Sequence, residues 1–185
     1  ELNAADYFRA NGMTMKPVVI ESTPELAKAF FAGRCDCLTS HASQLASTRA
    51  VAPNPDDYII LPEIISREPL GPAVRHGDDQ WFDVVKTVLY ALINAEELGI
   101  TSANVDEMMS SDNIPTLRLL GVEGSFGQED LGLAPDFAAN VIRAVGNYGE
   151  IYDRYMGPDG DAFSLPRGPN KLWSDGGLLY APPLR

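Results

Sequence analysis

Helix signals and short apolar runs take turns through the first 45 residues, and this alternation constrains the fold more than any other feature. Residues 1–10 set Ala4, Ala5 and Phe8 on one helical face, and Asn11-Gly12 ends that helix. Residues 17–20, Pro-Val-Val-Ile, form a β-branched run that reads as a strand. Ser22 with Glu25 fits a capping box, while Thr23 with Pro24 fits a cap followed by proline at the first helical position. Leu26, Ala29 and Phe30 make the buried stripe of this helix, and Gly33 suits the left-handed residue past its end. Residues 35–38 read as a short inner strand, and Thr39 and Ser40 as caps of the next helix. His41 then stands in that helix's first turn, just past the carboxyl end of a strand, where open α/β sheets hold ligands. The order helix, strand, helix, strand, helix predicts an α/β fold: a parallel-type sheet flanked by helices.

Residues 57–61 read as a further strand after Pro53-Asn54-Pro55. Two more prolines and Gly71 interrupt the extended stretch 62–72, which reads as a crossing between lobes. Residues 73–75 are one more extended piece. Beyond them the pattern becomes helical. The longest helix is expected over 81–98, with Phe82, Val85, Leu89, Leu92 and Ile93 on its buried side. Shorter helices follow: from Thr101 or Ser102 to Met109, over 115–120 closed by Gly121, over 135–145 stopped at Gly146, and from an Asn147 cap to Met156. Residues 124–132 read as a loop, and the tail from Gly157 as mostly irregular. The second part thus supplies helices with little sheet of its own, and their apolar faces call for cover.

The 185 residues suffice for one large domain or two small ones. No apolar run approaches the ~20 residues that span a bilayer. Fourteen Lys and Arg stand against 26 Asp and Glu, a net charge of −12. Such a surface repels phosphate backbones and anionic headgroups, which argues against nucleic-acid and membrane-surface partners. The chain opens at Glu1 on what reads as the middle of a helix, so a fragment or a processed chain is expected.

Several residues carry both a functional and a plain reading. His41 is either a binding residue or an exposed residue at a helix start. Cys35, Cys37 and His41 make a C-x-C-x3-H set, but three ligands fall short of a closed zinc site, and buried cysteines act as small apolar side chains. His76 reads as a solvated turn residue, and Trp81 and Trp173 as core. The pairs Asp56-Asp57, Asp78-Asp79 and Glu96-Glu97 sit at turns or helix surfaces and suggest no paired-carboxylate chemistry. No nucleophile–base set, phosphate loop or complete metal motif is present. Neither a catalytic residue, a metal nor a cofactor is therefore expected.

The sequence resembles a known family through Ala5-Asp6-Tyr7-Phe8, Gly33-Arg34-Cys35-Asp36, Glu68-Pro69-Leu70-Gly71-Pro72-Ala73-Val74-Arg75, Gly77-Asp78-Asp79-Gln80-Trp81-Phe82, Tyr90-Ala91-Leu92-Ile93-Asn94-Ala95-Glu96-Glu97, Gly146-Asn147-Tyr148-Gly149-Glu150-Ile151 and Asp175-Gly176-Gly177-Leu178 with Tyr180-Ala181-Pro182-Pro183. These residues are similar to the carboxyl-terminal half of periplasmic solute-binding proteins of ABC importers, of the general L-amino-acid-binding kind. The resemblance implies a periplasmic, non-enzymatic protein with a type II-like architecture, whose two lobes close on an L-amino acid and deliver it to a membrane permease. It assigns 1–65 to the second lobe, without its first strand, 66–72 to the return crossing, and 73–185 to the helical end of the first lobe. The alternatives are a cyclohexadienyl dehydratase-like enzyme on the same fold, or a truncated chain without activity of its own.

In such proteins the first lobe grips the ligand carboxylate through an arginine and backbone N–H groups, which the resemblance places before Glu1. So too with a threonine turn of the second lobe, and with a cysteine that pairs with the one matched by Cys35. Thr39, Ser40 and His41 are the ligand-binding candidates that remain. Relatives carry an ammonium-binding aspartate where this chain has His41. A neutral imidazole offers one acceptor lone pair, and a protonated one repels an ammonium. Cys37 replaces the small alanine usual after Asp36. The resemblance leaves a second copy, or the other half of such a protein, as the partner for the uncovered helices.

Overall fold

The computed structural model describes residues 2–157 and 164–184. The chain divides into two compact units, the first Glu1–Gly71 with a short piece near Leu165, the second mostly from Pro72 onward. The α/β expectation is overturned. Among the described residues there is no sheet, and the only β-type pairing is an isolated parallel bridge between Leu172 and Leu179. The runs 17–20, 35–38, 57–61 and 73–75 are not strands. The reason is physical: a β-branched run prefers extended backbone, but a strand exists only when a neighbour takes its N–H and C=O groups. Val19 and Ile59 lie largely exposed, with no such neighbour beside them.

The first unit carries three nine-residue helices joined by extended and turn segments: α1 (Leu2–Ala10), α2 (Thr23–Phe31) and α3 (Ala42–Ala50). Ser22 is the residue before α2, yet its side chain makes no cap hydrogen bond, so neither expected cap forms there. The stripe of Leu26, Ala29 and Phe30 is only half-buried. Buried side chains in this unit are small: Ala4, Ala46, Thr48 and Ala52. Phe30, Phe31 and Tyr58 cluster with ring centroids 5.3–5.8 Å apart. Arg49 ties the turn after α3 by donating to the carbonyls of Pro55 and Tyr58 at 3.0 and 2.9 Å.

The second unit holds the core. Its longest helix, α4 (Asp79–Glu97), starts where the Asp78 carboxylate accepts from the Trp81 N–H at 3.1 Å. Ala91, Leu92 and Ala95 of α4 pack with Ile100, with Val105 of α5 (Val105–Met108), with Leu119 of α6 (Ile114–Leu119), and with Phe137, Ala138, Ala139 and Ile142 of α7 (Phe137–Val145). Phe82 is half-exposed, so the buried face of α4 lies further along the helix than its periodicity suggests. An asparagine caps α6: Asn113 before it accepts from the Thr116 N–H. Asn104 before α5 makes no such cap and instead accepts from the Thr101 N–H in the turn ahead of it. The loop 124–132 contains a 3₁₀ turn at Gln128–Leu131.

The expected cap of the last helix, α8 (Tyr148–Tyr155), is present as a full capping box between Asn147 and Glu150. Glu150 also accepts from the Ser102 hydroxyl at 2.6 Å and the Ser102 N–H at 3.0 Å, joining the start of α8 to the loop before α5. Burial pushes its carboxyl up, but the hydrogen bonds from Ser102 and Asn147, with the charge of Arg154, outweigh this and hold it below the usual carboxylate range. A carboxyl held low in the fold contributes stability above its unfolded value, ~4.3, that is lost as pH falls through its folded value. Glu150→Gln should therefore cost ~1 kcal/mol at neutral pH and flatten the acid limb of stability. Urea midpoints measured across the acid range check this; an unchanged pH dependence would count against it.

Candidate functional site

The sequence singles out the corner between α2 and α3. α2 ends in a Schellman arrangement: the Arg34 N–H donates to the Ala29 carbonyl at 3.0 Å and the Gly33 N–H to the Phe30 carbonyl at 2.9 Å. Gly33 has φ +73°, as its place past the helix end requires. Residues 35–40 then run without a backbone hydrogen bond among the described residues. His41 is the residue just before α3, with φ −59° and ψ 144°, and its carbonyl accepts from the Leu45 N–H at 2.9 Å. It is thus the cap position itself rather than a first-turn residue, and Thr39 and Ser40 lie outside the helix instead of capping it.

Thr39, Ser40 and His41 are all exposed. None of their side chains has a hydrogen-bond partner among the described residues, and no side chain caps α3. The corner therefore presents two hydroxyls, an imidazole and the first N–H groups of a helix, all of them hydrogen-bonding groups open to solvent. It holds no nucleophile aligned with a base. Among the described residues no cluster of three or more His, Cys, Asp or Glu is placed to hold a metal ion, and Cys35, Cys37 and His41 do not form one.

Two features of the second unit escape sequence reading. A concavity of about 320 Å³ is lined by Asn94, Leu98, Leu119, Trp173, Tyr180 and Leu184, among others. Trp173 and Trp81 are each more than half exposed, against the expectation that both belong to the core. The second feature is Glu96, which is no simple surface acid. It pairs with Arg167 at 3.0 Å, and both side chains are largely buried. Burial raises the Glu96 carboxyl, with Arg167 pulling the other way. The Arg167 guanidinium also lies 5.6 and 5.1 Å from the ring centroids of Tyr148 and Tyr152. Seventy-one residues separate the two charges, so no local pattern announces the pair. His76 sits exposed in a turn, as expected.

No family model matches the chain. Three curated relatives match it over its whole length. The general L-amino acid-binding periplasmic protein AapJ of Rhizobium johnstonii is 58% identical, with 54% of its own length covered. The glutamate/glutamine/aspartate/asparagine-binding protein BztA of Rhodobacter capsulatus is 52% identical and the putative amino-acid ABC transporter-binding protein YhdW of Escherichia coli K12 is 50% identical, each covered over 54%. The chain is homologous to the carboxyl-terminal portion of periplasmic amino-acid-binding proteins of ABC transporters. It spans about half the length of the curated relatives it matches. A solved structure agrees: an ABC transporter/periplasmic binding protein from Brucella ovis with glutathione bound superposes with a TM-score of 0.89 at 51% identity, over all of this chain and 57% of that one. These relatives are binding proteins, and none supports the dehydratase alternative.

Proposed function

We propose that this chain supplies part of the ligand site of an amino-acid-binding component of an ABC importer, acting in the periplasm and handing its ligand to a membrane permease. The observation that carries the reading is the 58% identity, over the whole chain, to a general L-amino acid-binding protein. Residues 1–65 then contribute to one lobe of such a protein, 66–72 to a crossing, and 73–185 to the other lobe. Thr39, Ser40 and His41 are the residues of this chain that touch ligand. His41 accepts one hydrogen bond from the ligand ammonium, a contact weaker than a carboxylate would make.

Calorimetry tests this on a chimera in which residues 1–185 replace the matching portion of the Rhizobium johnstonii relative. The panel contains the L-amino acids and reduced glutathione, because glutathione also ends in a free α-amino-acid group and is bound in the Brucella ovis structure. At least one L-amino acid should bind at micromolar or better affinity. His41→Asp should tighten that binding roughly 10–100-fold, since a charge-assisted bond is worth ~1.5–3 kcal/mol. A folded chimera that binds none of the panel would overturn the reading. Affinity indifferent to position 41 would remove His41 from the site.

A further inference from the structure

Tyr58 links two helices of the first unit. Its ring packs on Phe30 and Phe31, the last residues of α2, with centroids 5.4 and 5.3 Å away. Its carbonyl accepts from Nε of Arg49, in the last turn of α3, at 2.9 Å, and the same Nε donates to the Pro55 carbonyl at 3.0 Å. The Arg49 guanidinium also lies 3.9 Å from the exposed Asp56 carboxylate. The far end of α3 is thereby tied to the last turn of α2, and the near end of α3 begins at His41. The side chains that α3 buries, Ala46 and Thr48, are short and interlock little with a neighbour, so the Arg49–Tyr58 link has the larger part in setting the direction of the helix.

A helix rises ~1.5 Å per residue, so Arg49 stands roughly 12 Å along α3 from His41. A tilt of about 5° around the Arg49 end moves the start of α3 by ~1 Å. A binding site tolerates misplacement of only ~0.5 Å. We propose that Arg49, acting through Tyr58, is a positioning residue for the corner of Thr39, Ser40 and His41: it holds the start of α3 where these side chains meet the ligand. The proposal rests on the reading of that corner as part of an amino-acid site. Arg49 suits the task because its planar, always-charged guanidinium directs Nε rigidly at the two carbonyls, whereas a lysine ammonium rides on a flexible stem.

The test is a double-mutant cycle between positions 49 and 41 in the chimera, read by calorimetry with the L-amino acid it binds best. Arg49→Met should weaken that binding roughly 10-fold. The gain of roughly 10–100-fold expected from His41→Asp should shrink below ~3-fold in the Arg49→Met background, because an aspartate out of place makes no charge-assisted bond. A residue that merely stabilised the fold would leave that gain intact. Tyr58→Phe keeps the ring and the carbonyl and should retain both the affinity and the gain, whereas Tyr58→Ala should lose them as Arg49→Met does. Arg49→Lys should fall between, and it carries the cycle if Arg49→Met does not fold. A ligand-free measurement stands beside the cycle. In the isotope-labelled chain of 185 residues, the amide signals of residues 39–42 should shift in Arg49→Met, while those of α7 in the second unit stay in place. Unchanged signals at 39–42, or a full His41→Asp gain in the Arg49→Met chimera, would overturn the proposal. A chimera that binds no amino acid would overturn the ligand reading instead, and the amide signals would then decide by themselves whether Arg49 holds the corner.

Discussion

Gly121→Ala should destabilise the second unit by roughly 3–5 kcal/mol. Gly121 closes α6 with φ +76°, a backbone conformation that L side chains rarely adopt. A Cβ there would come 1.9 Å from the Pro135 carbonyl oxygen and 2.3 Å from its carbon. Both are backbone atoms ahead of α7, so relief requires moving that helix, whose Phe137, Ala138, Ala139 and Ile142 are in the core. Gly99→Ala is the control that separates the two costs. Gly99 has φ +69° but nothing within 4 Å of its would-be Cβ, so only the backbone penalty of ~1–2 kcal/mol applies. Thermal or urea unfolding of the two variants checks the difference. Equal losses would mean that the approach of Pro135 to Gly121 is relieved at no cost.

Amide hydrogen exchange should divide the chain at about Gly71. Helices α1, α2 and α3 have nine residues each, below the ~12–15 at which an isolated helix is even marginal in water. Their stability must come from packing, and the side chains they bury are small ones. Opening free energies in the first unit should therefore lie near zero, while amides of α4, α6 and α7 approach the global value, ~5 kcal/mol or more. Limited proteolysis should accordingly cut first among residues 1–71. Comparable protection in α2 and α4 would contradict this distribution.

What was legible in the sequence follows from the range of the interactions involved. Helix ends are local: Gly33, Gly121 and Gly146 stop helices where the sequence places them, and the Asn147–Glu150 box needs only four consecutive residues. Strands are not local. The Val18-Val19 pair reads as β-structure from its branching, but no ladder forms in its vicinity, and Val19 stays exposed. Caps that depend on a hydroxyl turning inward were misjudged for a similar reason: Ser22 and Ser40 are free to face solvent and do so. At the candidate site, the position of His41 beside α3 was legible to within a residue, because Gly33 fixes where the preceding helix ends. The Glu96–Arg167 pair was not, since its two charges meet only through tertiary structure.

The most direct measurement of whether this chain supplies part of an amino-acid site is a paired calorimetric titration. Residues 1–185 alone and the chimera with the Rhizobium johnstonii relative are each titrated with the L-amino acid that the chimera binds best. Closing on a ligand gains affinity only from groups that touch it, and on the proposed reading the exposed corner at Thr39, Ser40 and His41 supplies only one side of the site. The expected result is heat of binding from the chimera and no submicromolar binding by residues 1–185. Submicromolar binding by the chain alone would contradict it, because the whole site would then lie within these 185 residues.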